Sequence, residues 1–152
     1  MSLPLPRRTA AALGAAAVLV VAGCTDGTIE VSSAPRDGEP ACASAAAAYP
    51  MEVSGHARRG TDADGATQAW GDPAIIARCG FDALAPTEVQ CIEVDGVGWI
   101  PEELSDGTRF RSFGTDPALE VLVPKAYAPE PLLLPAFSAA VRALPTNGLV
   151  CR

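Results

Sequence analysis

Asp95-Gly96 constrains this chain more than any other pair of residues. A two-residue type I′ turn needs positive φ at both positions, which Asp and Gly tolerate, and apolar runs flank the pair on both sides. Val89 to Val94 and Val97 to Ile100 are therefore expected to form an antiparallel hairpin, with Ile92 and Val94 on one face and Cys91 and Glu93 on the other. Similar signals mark Val53 to Gly60, Thr108 to Phe113 and Leu119 to Val123 as strands. Ala74 to Cys79 reads as a buried strand ended by Gly80. Two helices bracket them. Pro40 to Ala48 starts on a proline suited to a first turn and stops at Pro50. Leu134 to Leu144 carries an apolar stripe of Phe137, Ala140, Val141 and Leu144. The expected fold is α+β: a mostly antiparallel sheet of about five or six strands, with an N-terminal and a C-terminal helix packed on it.

The N-terminus has a separate logic. Arg7 and Arg8 precede the apolar run Ala10 to Ala22, which closes on Ala22-Gly23-Cys24. The run falls short of the roughly 20 apolar residues of a membrane-spanning helix. It reads as a signal peptide over residues 1–23, with Cys24 as the site of lipidation. The alternatives are an ordinary signal peptide cut near Ala22 or Gly23 and an uncleaved anchor. Thr9-Ala10-Ala11-Ala12 lacks the bulky apolar pair of twin-arginine signals, so general secretion is expected. Residues 24–39 are polar and aperiodic and read as a flexible tether; residues 40–152 read as one folded domain. The expected location is the outer face of the cell membrane, with the protein held there by lipid such as palmitate.

Cysteine count agrees with export. Setting Cys24 aside leaves Cys42, Cys79, Cys91 and Cys151, an even number suited to an oxidising compartment. Of the three connectivities, Cys79–Cys91 would link neighbouring strands and Cys42–Cys151 would fasten the ends of the domain; this pairing is expected. No C-x-x-C occurs and His56 is the only histidine, so no metal site is expected. The formal charge is −7, and losing Arg7 and Arg8 takes it to −9. That balance favours neither nucleic acid nor an anionic membrane surface as a partner.

Several segments resemble one family. Trp70-Gly71-Asp72-Pro73 running to Arg78-Cys79-Gly80 is similar to the tryptophan-glycine-x-proline and arginine-cysteine-glycine core of the actinobacterial DUF3515 family of uncharacterised lipoproteins. Val94 to Trp99 resembles its hairpin, Glu120 to Pro124 its late strand, and Cys42 and Cys151 its first and last domain cysteines. Members often carry an arginine after an aromatic-glycine pair near the fourth strand, whereas Thr115 follows Phe113-Gly114 here. The resemblance implies an envelope lipoprotein and no activity.

No known catalytic pattern is legible. A G-x-S-x-G elbow and phosphate-binding glycine loops are absent, and His56 lies in a polar stretch near Arg58 and Arg59. Asp62-Ala63-Asp64-Gly65 starts like a calcium loop, but Pro73 stands where the bidentate glutamate belongs. Glu102-Glu103 are adjacent acids on a loop, which point apart. The remaining candidates are Trp70, Arg78 and Trp99, with Arg109 and Arg111, as a site for sugar or peptide-carboxylate ligands. Against this stands a structural reading in which the tryptophans fill the core and Arg78 pairs with Asp72 or Glu93. The expected protein is a non-catalytic, cofactor-free binding or accessory module of the cell envelope, with an envelope protein or cell-wall ligand as partner. The alternatives are an envelope hydrolase using carboxylates and Arg78, and a structural partner-binding lipoprotein.

Overall fold

The computed structural model describes residues 27–86 and 89–152. The expected signal peptide and Cys24 lie outside the described residues. Eight strands form one antiparallel sheet: β1 (Glu52–Val53), β2 (His56–Arg59), β3 (Thr67–Trp70), β4 (Ile75–Phe81), β5 (Ile92–Val94), β6 (Val97–Glu103), β7 (Gly107–Phe113) and β8 (Ala118–Pro124). Their order across the sheet is β1-β2-β3-β4-β8-β7-β6-β5. Two α-helices are present among the described residues, α1 (Pro40–Ala47) and α2 (Ser138–Arg142). None of the helices there is long and apolar enough to cross a membrane.

The expected sheet of five or six strands between two terminal helices is thus corrected to an eight-stranded sheet with little helix. Three local causes account for the difference. Ser54 and Gly55 both adopt positive φ, so the expected strand from Val53 to Gly60 folds into a tight hairpin with Val53 opposite His56. Strand β3 has four residues and becomes a strand by lying between β2 and β4. At the C-terminal end, Pro131 and Pro135 remove backbone donors, so Glu130–Phe137 winds as a 3₁₀ segment and α-helix begins only at Ser138.

Other expectations hold. Asp95 and Gly96 take positive φ and join β5 to β6, with Val94 opposite Val97. Leu119, Val121 and Val123 share the buried face of β8. That inner face carries the core: Trp70, Ile75, Ala77, Cys79, Phe110 and Trp99 meet Cys42 and Ala45 of α1, and Phe137, Ala140 and Val141 from the C-terminal segment.

The disulfide pairing is also corrected. Cys42 bonds Cys79, tying α1 to β4, and Cys91 bonds Cys151, tying the start of β5 to the C-terminus. The expected Cys79–Cys91 bond assumed neighbouring strands. Strands β8, β7 and β6 in fact separate β4 from β5, a distance of about 19 Å at four strand spacings, far beyond disulfide reach.

From Gly27 onward, the segment expected to be a flexible tether is instead stitched to the sheet. Ile29 N donates to Gly60 O at 2.9 Å, and Asp62 N donates to Ile29 O at 3.1 Å. Val31 N reaches Asp62 Oδ1 at 2.8 Å, and Ser33 Oγ reaches Asp64 O at 3.1 Å. The strap ends where Arg36 pairs with Glu39, Asp82 and Asp116, at 2.6, 3.3 and 2.8 Å. Its backbone needs a glycine beneath it. Gly80 has φ +117°, sits at a register shift in β4, and would place any Cβ 2.4 Å from the Arg36 carbonyl carbon.

Candidate functional site

On the sheet face opposite the core, register builds a row of charges. Arg78 of β4 lies opposite Glu120 of β8, which lies opposite Arg111 of β7. Glu120 is 0% exposed, while the Arg78 and Arg111 side chains keep 17% and 25% of their surface. Each guanidinium takes one carboxylate oxygen: Arg78 Nη2 donates to Oε1, and Arg111 Nη2 donates to Oε2 at 2.6 Å. Both lean on the Phe81 ring, with guanidinium carbons 5.0 and 4.4 Å from its centroid. Such cation–π contacts add to the ion pairs that offset burial of the carboxylate.

A second row runs beside it. Arg109 lies opposite Glu102 and grips it with both nitrogens, Nη2 to Oε1 at 2.5 Å and Nε to Oε2 at 3.2 Å. This hydrogen bonding holds the Glu102 carboxyl below the usual glutamate range. Arg109 Nε also approaches Glu120 Oε2 at 4.0 Å. Three guanidiniums therefore surround two carboxylates, leaving one excess positive charge on a chain whose formal charge is −7. Both Glu120 oxygens accept from arginine, so the carboxylate is occupied as an ion-pair partner. The Nε groups of Arg78 and Arg111 are buried without a hydrogen-bond partner. The row's chemistry is that of anion recognition by guanidinium N–H groups beside an aromatic ring.

The strap covers part of this face. Arg78 Nη1 donates to Ser32 O at 3.0 Å. A separate cavity of about 480 Å³ lies at the other end of the strap, lined by the hairpin from Gly55 to Gly60 with Gly71 and Asp72. Near the C-terminus, a third feature of about 600 Å³ is lined by Gln90, Cys91, Phe113, Leu149 and Arg152 among others. Among the described residues, no group of three or more His, Cys, Asp or Glu side chains is arranged to hold a metal ion.

The sequence candidates divide. Arg78, Arg109 and Arg111 come together. Trp70 and Trp99 do not join them: both are 0% exposed on the inner face, and Trp70 Nε1 donates to Pro50 O at 3.0 Å. As ligand-binding candidates the two tryptophans are corrected to core residues. Arg78 pairs with neither Asp72 nor Glu93, the partners weighed for it, but with Glu120. His56 packs its ring 4.7 Å from that of Tyr127. Sequence reasoning missed Glu120 and Phe81, and its placing of Glu102-Glu103 on a loop is corrected: both lie in β6, with Glu102 opposite Arg109. The available signal was a lone acid inside the apolar run Leu119-Glu120-Val121-Leu122-Val123, which calls for cationic neighbours if that strand is central.

Comparison with known proteins identifies a family. The family model described as "Protein of unknown function (DUF3515)" matches residues 3–148, and the chain belongs to that family. No curated protein and no solved structure matches it.

Proposed function

We propose that this DUF3515 chain is a lipid-anchored, extracytoplasmic binding module of the cell envelope. The observation that carries the reading is the division of the cysteines. The four in the domain are consumed by two disulfides, as suits an oxidising compartment, and Cys24 remains outside those pairs at the end of an apolar segment. The binding half of the reading is supported by the arginine row, a cationic strip on an acidic chain that suits ligands bearing peptide carboxylates or other anions. The acidic balance of the chain as a whole speaks against nucleic acid as the partner.

A hydrolase using carboxylates and Arg78 would need a concave pocket holding two acids with raised pKa. Here Glu120 is taken up by two arginines and Glu102 is shifted downward, which gives that alternative no support. Fractionation and mass spectrometry of the chain made in a bacterium that processes lipoproteins test the anchor. The mature protein is expected in the membrane fraction, starting at Cys24 and bearing acyl mass, and Cys24→Ala is expected to release it. Unacylated native protein in the soluble fraction would overturn the reading.

A further inference from the structure

We infer that the edge of the sheet around β2 docks directly on phospholipid headgroups, through the surface formed by the Gly55–Gly60 hairpin and the Gly71-Asp72 turn. The inference rests on lipidation of Cys24. It follows from how early the strap attaches. Gly27 O accepts from Arg59 Nη2 at 3.0 Å, Ile29 pairs with Gly60 and Asp62, and a parallel bridge joins Ile29 to Thr61. Contacts with the sheet are therefore in place by Gly27, three residues after Cys24, and three residues span at most about 11 Å. The polar layer of one leaflet is itself about 5–8 Å thick. Even fully extended, that stretch outreaches the layer by only about 3–6 Å, less than the width of one helix, which keeps the surface beside Gly27 at the headgroups.

The chain as a whole is acidic, but the charge of this one surface is the reverse. The cavity of about 480 Å³ beside Gly27 is lined by His56, Arg58 and Arg59, with Asp72 as its one acid, 3.8 Å from Arg59. Arg58 is exposed yet fixed, donating from Nε to Pro50 O at 2.9 Å and from Nη2 to Tyr49 O at 2.6 Å. Arg59 is held by Gly71 O and Gly27 O at 3.1 and 3.0 Å. Two guanidiniums pinned by backbone carbonyls keep their positive charge at set positions, and lipid phosphate is the anion available there. Docking at β2 turns the opposite edge away from the bilayer. Strand β5 and the Cys91–Cys151 bond lie six strand spacings from β2, about 29 Å.

Hydrogen exchange on the full acylated protein, reconstituted in vesicles of phosphatidylglycerol and phosphatidylethanolamine, tests the inference. The comparison protein carries a Gly/Ser spacer of about 20 residues between Asp26 and Gly27, which adds about 25 Å of reach. Amides of residues 55–60 and 71–72 are expected to exchange about fivefold more slowly in the native chain than in the spacer chain, the factor matching one cation held at the membrane surface. Amides of β5 are expected to be unchanged. Equal exchange in two acylated, vesicle-bound proteins would overturn docking and leave the anchor reading standing. Absence of acyl mass on Cys24 would overturn the anchor, and docking with it.

Discussion

On strand β8, Leu119, Val121 and Val123 point to one side and Glu120 and Leu122 to the other, and the two sides are held differently. The inner side is closed by apolar packing: Trp70 meets Tyr49 and Phe137 edge-on at 5.8 and 5.3 Å. Among the described residues, the two α-helices pack on the inner side, and the outer side is covered differently. It is held by arginines around Glu120 and by a strap laid across one part of the sheet. Apolar burial is non-directional, so the inner side tolerates many sequences. The outer row works only if three particular strands lie side by side in register. A feature that demanding, on the open side, is where recognition is expected.

Four experiments would break or sharpen this contrast. Trp70→Ala should have the largest effect, a loss of about 3–5 kcal/mol in denaturant unfolding, because it removes one of the largest fully buried side chains of the inner side. Replacing Arg78 and Arg111 together by Met should cost a similar or smaller amount, up to about 3–5 kcal/mol, by leaving Glu120 buried without its partners. Here the two sides should part. Adding Glu120→Leu to that double variant is expected to restore most of the stability, as an apolar replacement of a buried ion cluster often does. Full restoration together with loss of ligand crosslinking in the envelope would mark the row as a recognition device. A triple variant that stays destabilised would make the row a structural necessity.

A smaller effect is expected at the strap. Gly80→Ala combines a positive φ with a clash against the Arg36 backbone and should cost about 1–3 kcal/mol. It should also speed amide exchange at Ile29 and Arg36. Gly38→Ala, with open space around the new methyl, is the neutral control. The smallest effect concerns pH. Glu102 is held low by the Arg109 hydrogen bond, so its contribution to stability is present above the ordinary glutamate pKa of about 4.3 and is lost as pH falls through the lower folded value. Carboxyl titration by NMR should show Glu102 moving up toward that ordinary value in Arg109→Ala. No movement would mean the fork is not made in solution.

Much of the fold was legible because its signals are local. Asp95-Gly96, the alternation Leu119-Val121-Val123 and the helix-starting Pro40 each act within a few residues. The Ser54-Gly55 turn escaped because Ser rarely takes the positive φ it adopts there, and β3 because four residues with two polar members carry no clear period. At the site, the arginines were visible as strand residues, but their shared partner was not. Arg78 and Glu120 are 42 residues apart, and only the strand order joins them.

The sequence by itself determined where strands turn, which residues seek the interior and that four cysteines have partners, because turn conformation, hydrophobicity and parity are properties of short segments or of a count. Tertiary structure alone decided who meets whom. Placing β8 between β4 and β7 separated Cys79 from Cys91, and packing α1 against β4 brought Cys79 to Cys42. The same placement put one buried carboxylate between two arginines and left a face for the strap to cross. The physical reason is that pairing across a sheet depends on the order in which strands assemble, and that order is set by the summed burial of the whole inner face and not by any segment of it.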